Sequence, residues 1–76
     1  MKNAESFEEK YPNITRWVKE HGWIEIGQDE YRSSFLRALD LGGMAWEGRN
    51  KYRSMDDAFR ALDLALKNWM KKELGE

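Results

Sequence analysis

The last third of the chain carries the pattern that most restricts the fold, an apolar stripe at helical spacing. Ser54 is a favourable N-cap, Asp56 and Asp57 follow it at the positive end of a helix, and Gly75 is suited to end that helix. The stripe consists of Met55, Ala58, Phe59, Leu62, Ala65, Leu66 and Trp69. An apolar side this broad must be covered, so the residues before Ser54 have to supply the opposite half of a core.

Two ion pairs are expected on the polar side of this helix. Asp56–Arg60 and Asp63–Lys67 are each four residues apart, with the acid first, which is the favourable order. Leu64 breaks the pattern, because it falls on the polar side of the helix.

Size and composition allow one small domain, residues 1–76, with residues 1–5 expected to be frayed. Four Trp, three Tyr and three Phe are too many large apolar groups for a disordered chain. With 13 basic and 14 acidic residues the net charge is −1, which argues against a dedicated nucleic-acid binder. No apolar run resembles a signal peptide or a membrane span, so no membrane association is expected.

Cysteine is absent, so neither a disulfide nor a thiolate metal site can support the small core. Self-association remains as a way to stabilise so small a core, and an oligomer is therefore favoured. The composition fits a reducing compartment, and a cytoplasmic location is expected.

The N-terminal region predicts a short turn followed by a helix. Residues 6–9, Ser-Phe-Glu-Glu, have the form of a capping box, and Tyr11 before Pro12 ends any helix that starts there. Pro12 then suits the first position of a helix over about 13–21, and Gly22 suits its end. The apolar side of that helix consists of Ile14, Trp17, Val18 and His21.

The middle of the chain predicts an antiparallel meander. Residues 23–26 and 44–47 have the alternating pattern of side chains that is typical of strands, and a glycine bounds each run on both sides. Residues 34–42 fit either a helix with a Ser cap or a middle strand. The strand is favoured, because two isolated short strands would be only marginally stable. The predicted fold is α+β, with the order α-β-β-β-α and two helices on one face of a three-stranded sheet.

Charge indicates which face of the sheet is buried. If Leu36 and Ala38 point inward, Arg37 points outward between Glu25 and Glu47 on the neighbouring strands. This register needs odd turns, expected as three residues at Asp29–Tyr31 and Leu41–Gly43. The inward set also includes Ile24, Ile26, Met44 and Trp46. The outward set includes Trp23, Phe35, Leu39 and Ala45.

No catalytic, cofactor-binding or metal-binding site can be assembled from the sequence, and the chain is not expected to be an enzyme. His21 is the single histidine and is interpreted as a packed residue near a helix end. The acidic pairs Glu8-Glu9, Asp29-Glu30 and Asp56-Asp57 are explained by helix caps and a turn.

A basic loop supplies the alternative function. Arg49, Lys51 and Arg53 surround Tyr52, and arginine with aromatic residues is typical of single-strand nucleic-acid binding. Three charges in five residues are also common on solvated loops. Nucleic-acid binding through the loop at 49–53 and the exposed sheet face is therefore the second hypothesis.

The order helix, three strands, helix resembles that of double-stranded RNA-binding domains. That family places lysines at the start of its last helix, where this chain has Ser54, Asp56 and Asp57. Residues 23–70, with Tyr-Arg-Ser-Met-Asp-Asp-Ala-Phe at 52–59, are similar to the HicB-class partial antitoxin domain. That resemblance implies a small regulatory protein with a protein partner. The Trp-Ile-Glu-Ile and Met-x-Trp-Glu-Gly strands also resemble those of short, uncharacterised bacterial proteins.

The sequence thus favours a domain that binds another protein or a second copy of itself. Apolar groups on an uncovered sheet face would form the contact, with arginine among them. The candidate interface residues are Trp23, Phe35, Arg37, Leu39, Ala45 and Leu64.

Overall fold

The computed structural model describes residues 6–28 and 34–75, and it has the predicted α+β architecture. One three-stranded antiparallel sheet, in the order β1-β2-β3, is preceded and followed by helices. The elements are α1 (Phe7–Lys10), α2 (Pro12–Glu20), β1 (Gly22–Ile26), β2 (Leu36–Asp40), β3 (Gly43–Glu47) and α3 (Met55–Leu74). The segment that also fitted a helix therefore supplies the middle strand.

The first two helices meet at Tyr11, as the proline predicted. Ser6 and Glu9 form the capping box of α1, and Tyr11 has non-helical backbone angles, φ −130° and ψ 67°, that end this helix before Pro12. Tyr11 gives α2 no side-chain cap. Asp63 of α3 supplies it instead, because its Oδ1 accepts the backbone N–H groups of Asn13 at 2.8 Å and Ile14 at 2.9 Å.

Helix α2 ends one residue earlier than expected, and Gly22 is not its terminating residue. His21 follows the helix as its C-cap, and Gly22 is already the first residue of β1. A Cβ at Gly22 would overlap the carbonyl oxygen of Leu39, so glycine is needed for close approach of two strands. The Trp17 indole donates to the carbonyls of Trp23 and Leu39 at 3.2 Å and joins α2 to both strands.

The turn between β2 and β3 has two residues, which corrects the predicted three. Asp40 pairs with Gly43, so only Leu41 and Gly42 lie between the strands. With a two-residue turn and no bulge, Arg37 would lie opposite Trp46. A bulge at Ala38/Leu39 shifts the register by one, so Arg37 lies opposite Glu47 after all. The predicted turn at residues 29–31 lies outside the described residues.

The core lies between the helices and the inward side of β2. Leu36 and Ala38 are fully buried with residues of α2 and α3, as predicted. The buried apolar cluster contains Tyr11, Ile14, Trp17, Leu36, Ala38, Ala58, Leu62, Leu66 and Met70. Ile24 and Trp46 pack against this cluster, whereas Ile26, at the end of β1, is 52% exposed.

Helix α3 begins and ends where the sequence indicated. The Ser54 hydroxyl accepts the backbone N–H of Asp57 at 3.1 Å, and Gly75 adopts the left-handed conformation with φ 71°. The apolar stripe is shifted slightly along the helix. Met55 is 48% exposed, and Met70, which the stripe omitted, is 2% exposed.

Within the described ranges, no helix is both long and apolar enough to cross a membrane.

Candidate interaction surface

An apolar row crosses the outer face of the sheet. Leu39 of β2 lies directly opposite Trp23 of β1 and directly opposite Met44 of β3. Residues paired in this way project from the same face, with Cβ atoms about 4.5–5.5 Å apart. Trp23 is 42% exposed and Met44 45% exposed, while Leu39 between them is half-buried. We call Trp23, Leu39 and Met44 the apolar row.

The apolar row continues onto the tip of the β2–β3 hairpin. Leu41 is one of the two turn residues and is 99% exposed. Asp40 holds the turn, because its side chain accepts the Gly42 N–H at 2.8 Å. Leu41 therefore has no role in the core, and it adds an exposed apolar side chain at the hairpin end of the apolar row.

Glu25, Arg37 and Glu47 form a charged row beside the apolar row. Hydrogen bonds hold these side chains in place. Arg37 donates to Glu25 Oε1 at 3.2 Å, to the Ser34 carbonyl at 2.7 Å and to the Gly27 carbonyl at 3.0 Å. Glu47 accepts from the Ser34 hydroxyl at 2.6 Å. Arg37 is 5% exposed, and each of its three guanidinium nitrogens donates to an acceptor of the protein. Arg37 therefore orders this face, and the prediction that it is an exposed contact residue is wrong.

Phe35 and Ala45 also differ from their predicted exposure. Phe35 precedes β2 and packs against the core cluster, with its ring centroid 6.4 Å from that of Tyr52. Ala45 is the extra residue of β3 at the bulge, and it too packs against the core. The bulge therefore exchanges the faces expected for Met44 and Ala45, which is how Met44 joins the apolar row.

Leu64 is exposed as predicted, at 58%, but it lies on α3 and not on the sheet. The sequence thus identified Trp23, Leu39 and Leu64 as accessible or half-accessible groups and missed Met44. Alternation along 44–47 gave no sign of a bulge, so Met44 was assigned to the core.

Contacts of Arg49 and Tyr52 hold part of the basic loop in place. The Tyr52 hydroxyl accepts the Arg49 backbone N–H at 2.9 Å, and the Arg49 guanidinium lies 4.9 Å from the centroid of the Tyr52 ring. Tyr52 also packs against the core cluster. Lys51 and Arg53 are exposed. One face of the Tyr52 ring is therefore already covered by an arginine, which leaves less of it for a stacked base.

A cavity of about 290 Å³ adjoins this loop. Its apolar lining comes from Phe35, Tyr52 and Met55, and Lys51 contributes a charge at the rim. Its remaining described lining residues are Gln28, Asn50 and Ser54.

The acidic groups at the helix starts have structural partners. Asp56 accepts from Lys10 Nζ at 2.8 Å and from the Tyr11 hydroxyl at 2.6 Å. The hydrogen bond from Lys10, followed by that from Tyr11, lowers the pKa of Asp56 from 3.8. Burial, and then donation to Asp56, raises the pKa of Tyr11 above 10.0. Asp57 pairs with Arg60 at 3.1 Å, so the predicted Asp56–Arg60 pair is replaced by one three residues apart.

His21 packs at the end of α2, with its ring centroid 5.6 Å from that of Trp17. Among residues 6–28 and 34–75, no three His, Asp or Glu side chains are grouped closely enough to hold a metal ion. The acidic pair at 29–30 lies outside these ranges.

Comparison of the chain with protein-family models, with curated proteins and with solved structures finds no match.

Proposed function

We propose that this chain is a small cytoplasmic protein-interaction domain that binds through the outer face of its sheet. The observation that carries the proposal is the apolar row, Trp23, Leu39 and Met44, with Leu41 beside it. Exposed apolar patches that contain aromatic residues and methionine are typical of protein interfaces. The absence of cysteine agrees with a cytoplasmic location.

A second copy of the chain is the first partner to test. The domain has a small core without disulfide support, and two-fold dimers are the commonest closed assemblies. The resemblance to the HicB-class antitoxin domain likewise implies a protein partner. The outer face, with the charged row beside the apolar row, would suit either a second sheet or the apolar side of a partner helix.

Light scattering at about 100 μM tests self-association. A dimer would give about 18 kDa, twice the 9.1 kDa chain. Met44→Glu should return the mass to 9.1 kDa, because a charge cannot be buried unpaired at the contact. Val18→Glu is the matched control: Val18 is 52% exposed on α2, and this variant should remain dimeric.

If the wild type is monomeric, a photoreactive amino acid placed at position 44 or at position 18 in the native cell tests for another partner. A protein cross-linked from position 44 and not from position 18 supports the proposal. A monomer that forms no position-specific cross-link shows that the apolar row is not an interface.

A further inference from the structure

A cleft of about 210 Å³ between α2 and α3 carries three cationic side chains. Asn13 and Arg16 line it from α2, and Lys67, Met70 and Lys71 line it from α3. Spacings of three and four residues place each group on one side of its helix. Met70 is 2% exposed and gives the cleft an apolar base.

The positive charge of the cleft follows from the way α2 is capped. The sequence predicts that Asp63 pairs with Lys67. In the structure, Asp63 Oδ1 accepts the Asn13 and Ile14 backbone N–H groups, and its Oδ2 accepts the Asn13 side-chain amide at 2.9 Å. The carboxylate is thus bound at the start of α2 and forms no ion pair with Lys67.

The two lysines of the cleft have no acidic partner within the described ranges. Neither Lys67 nor Lys71 forms an ion pair there, whereas Arg16 already contacts Glu20 at 3.4 Å. Like charges four residues apart on a helix repel each other. An anion bound between Lys67 and Lys71 would relieve that repulsion.

We propose that this cleft binds an acidic peptide segment of a partner protein, with its carboxylates at Lys67 and Lys71. Charge complementarity supports this occupant, and the Met70 base of the cleft suits the methylene groups of glutamate. A net charge of −1 argues against an extended polyanion such as nucleic acid. This site goes beyond the proposed sheet-face interaction, because every residue that lines it belongs to a helix.

The test is an NMR titration of the full ¹⁵N-labelled chain with an acetylated hexaglutamate peptide. We expect amide shifts centred on Asn13, Arg16, Lys67 and Lys71. Binding should be lost when the NaCl concentration is raised to about 1 M, where exposed charges are screened within about 3 Å. The matched hexaglutamine peptide should cause no shifts.

Paired charge variants distinguish the cleft from general electrostatic attraction. Lys67→Gln with Lys71→Gln should weaken hexaglutamate binding about tenfold, as expected for the loss of two exposed ion pairs. Lys19→Gln with Lys72→Gln removes the same total charge outside the cleft, one lysine from α2 and one from α3, and should change binding less than about threefold. Circular dichroism melts of both double variants are the control for folding, and both are expected to melt close to the wild type.

Three outcomes would overturn the proposal. They are the absence of shifts at the cleft, equal weakening by both double variants, and equal binding of hexaglutamine. A separate titration with inorganic phosphate gives the fourth: phosphate that saturates the same amides at lower concentration than hexaglutamate would identify a phosphate site and not a peptide site.

Discussion

At the residue scale, the buried side chains of three elements meet in one small core. Trp17 of α2, Leu36 of β2 and Leu62 of α3 each have no exposed surface. The Trp17 ring also meets the edge of Trp69, with ring centroids 5.1 Å apart and planes at 90°. A side chain in this cluster cannot shrink without leaving a cavity, because all of its neighbours are fixed by their own helix or strand.

Leu62→Ala should lower the free energy of unfolding by about 2–5 kcal/mol, through lost burial and the remaining cavity. The core of a chain this small rarely supplies more than about 3–5 kcal/mol, so the variant should be largely unfolded at physiological temperature. Leu64→Ala is the control, since Leu64 is 58% exposed on the same helix and should change stability by less than about 0.5 kcal/mol. Equal melting curves for both variants in circular dichroism would contradict the packing of α3.

Asp56 should make stability depend on pH in the acid range. Its pKa is lowered from 3.8 in the folded protein, so the unfolded chain takes up the proton first as pH falls. The stabilisation is therefore complete above pH 3.8 and is lost as pH falls through the lowered pKa. The melting temperature of Asp56→Asn should be below that of the wild type at neutral pH, and the difference should shrink toward about pH 3.

High salt provides the internal control for this comparison. The pair with Lys10 is exposed, so about 1 M NaCl should reduce the difference at neutral pH. A difference in melting temperature that stays constant from neutral pH to about pH 3 would show that the Asp56 carboxylate is not the group responsible.

At the scale of elements, helix α2 depends on a residue of α3 for its start. The first N–H groups of a helix need an acceptor, and Tyr11 provides none through its side chain. Asp63 accepts two of them from a position about fifty residues away in the chain. The acidic group also lies at the positive end of α2, where its charge is favourable. One side chain thus links the formation of α2 to its packing on α3.

Asp63→Ala should destabilise the protein by about 1–2 kcal/mol, the usual effect of removing a helix N-cap. Hydrogen exchange should rise first at Asn13 and Ile14, whose N–H groups lose their acceptor. Glu73→Ala removes an exposed acid from the same helix and serves as the control. Unchanged protection at both amides in Asp63→Ala would contradict the capping role.

At the scale of the whole molecule, acidic and basic residues nearly balance. The net charge is −1, and the basic loop at 49–53 is followed by Asp56 and Asp57. Arg49 is stacked on Tyr52, which binds it within the fold. Within residues 6–28 and 34–75, this loop does not provide the continuous basic surface that releases counterions from a phosphate backbone.

Gel-shift assays at about 50 mM salt should show no binding to single- or double-stranded DNA or RNA tighter than ~10⁻⁴ to 10⁻⁶ M. Reversal of Arg49, Lys51 and Arg53 to glutamate should leave any protein interaction through the apolar row unchanged. A sub-micromolar, salt-sensitive complex that disappears in this triple variant would make nucleic-acid binding the leading function.

Local chemistry is enough to predict from the sequence where the helices break and where α3 begins and ends. The capping box at Ser6, the break at Tyr11-Pro12, and the limits of α3 at Ser54 and Gly75 are properties of neighbouring residues. Burying Arg37 among helices would leave a charge unpaired, so the face of β2 could also be assigned. The inward side of Leu36 follows from this charge rule, whereas the α-β-β-β-α order also needs the argument that two isolated short strands would be only marginally stable.

Tertiary contacts decided what local rules could not. A two-residue turn and a bulge together give the same Arg37 pairing as the predicted turn, but they exchange Met44 and Ala45 between faces. Asp63 was expected to pair within its own helix, and a distant helix start competes for it. Sequence spacing defines which groups are neighbours along one element, whereas these partners meet only when α2, α3 and the strands are packed together.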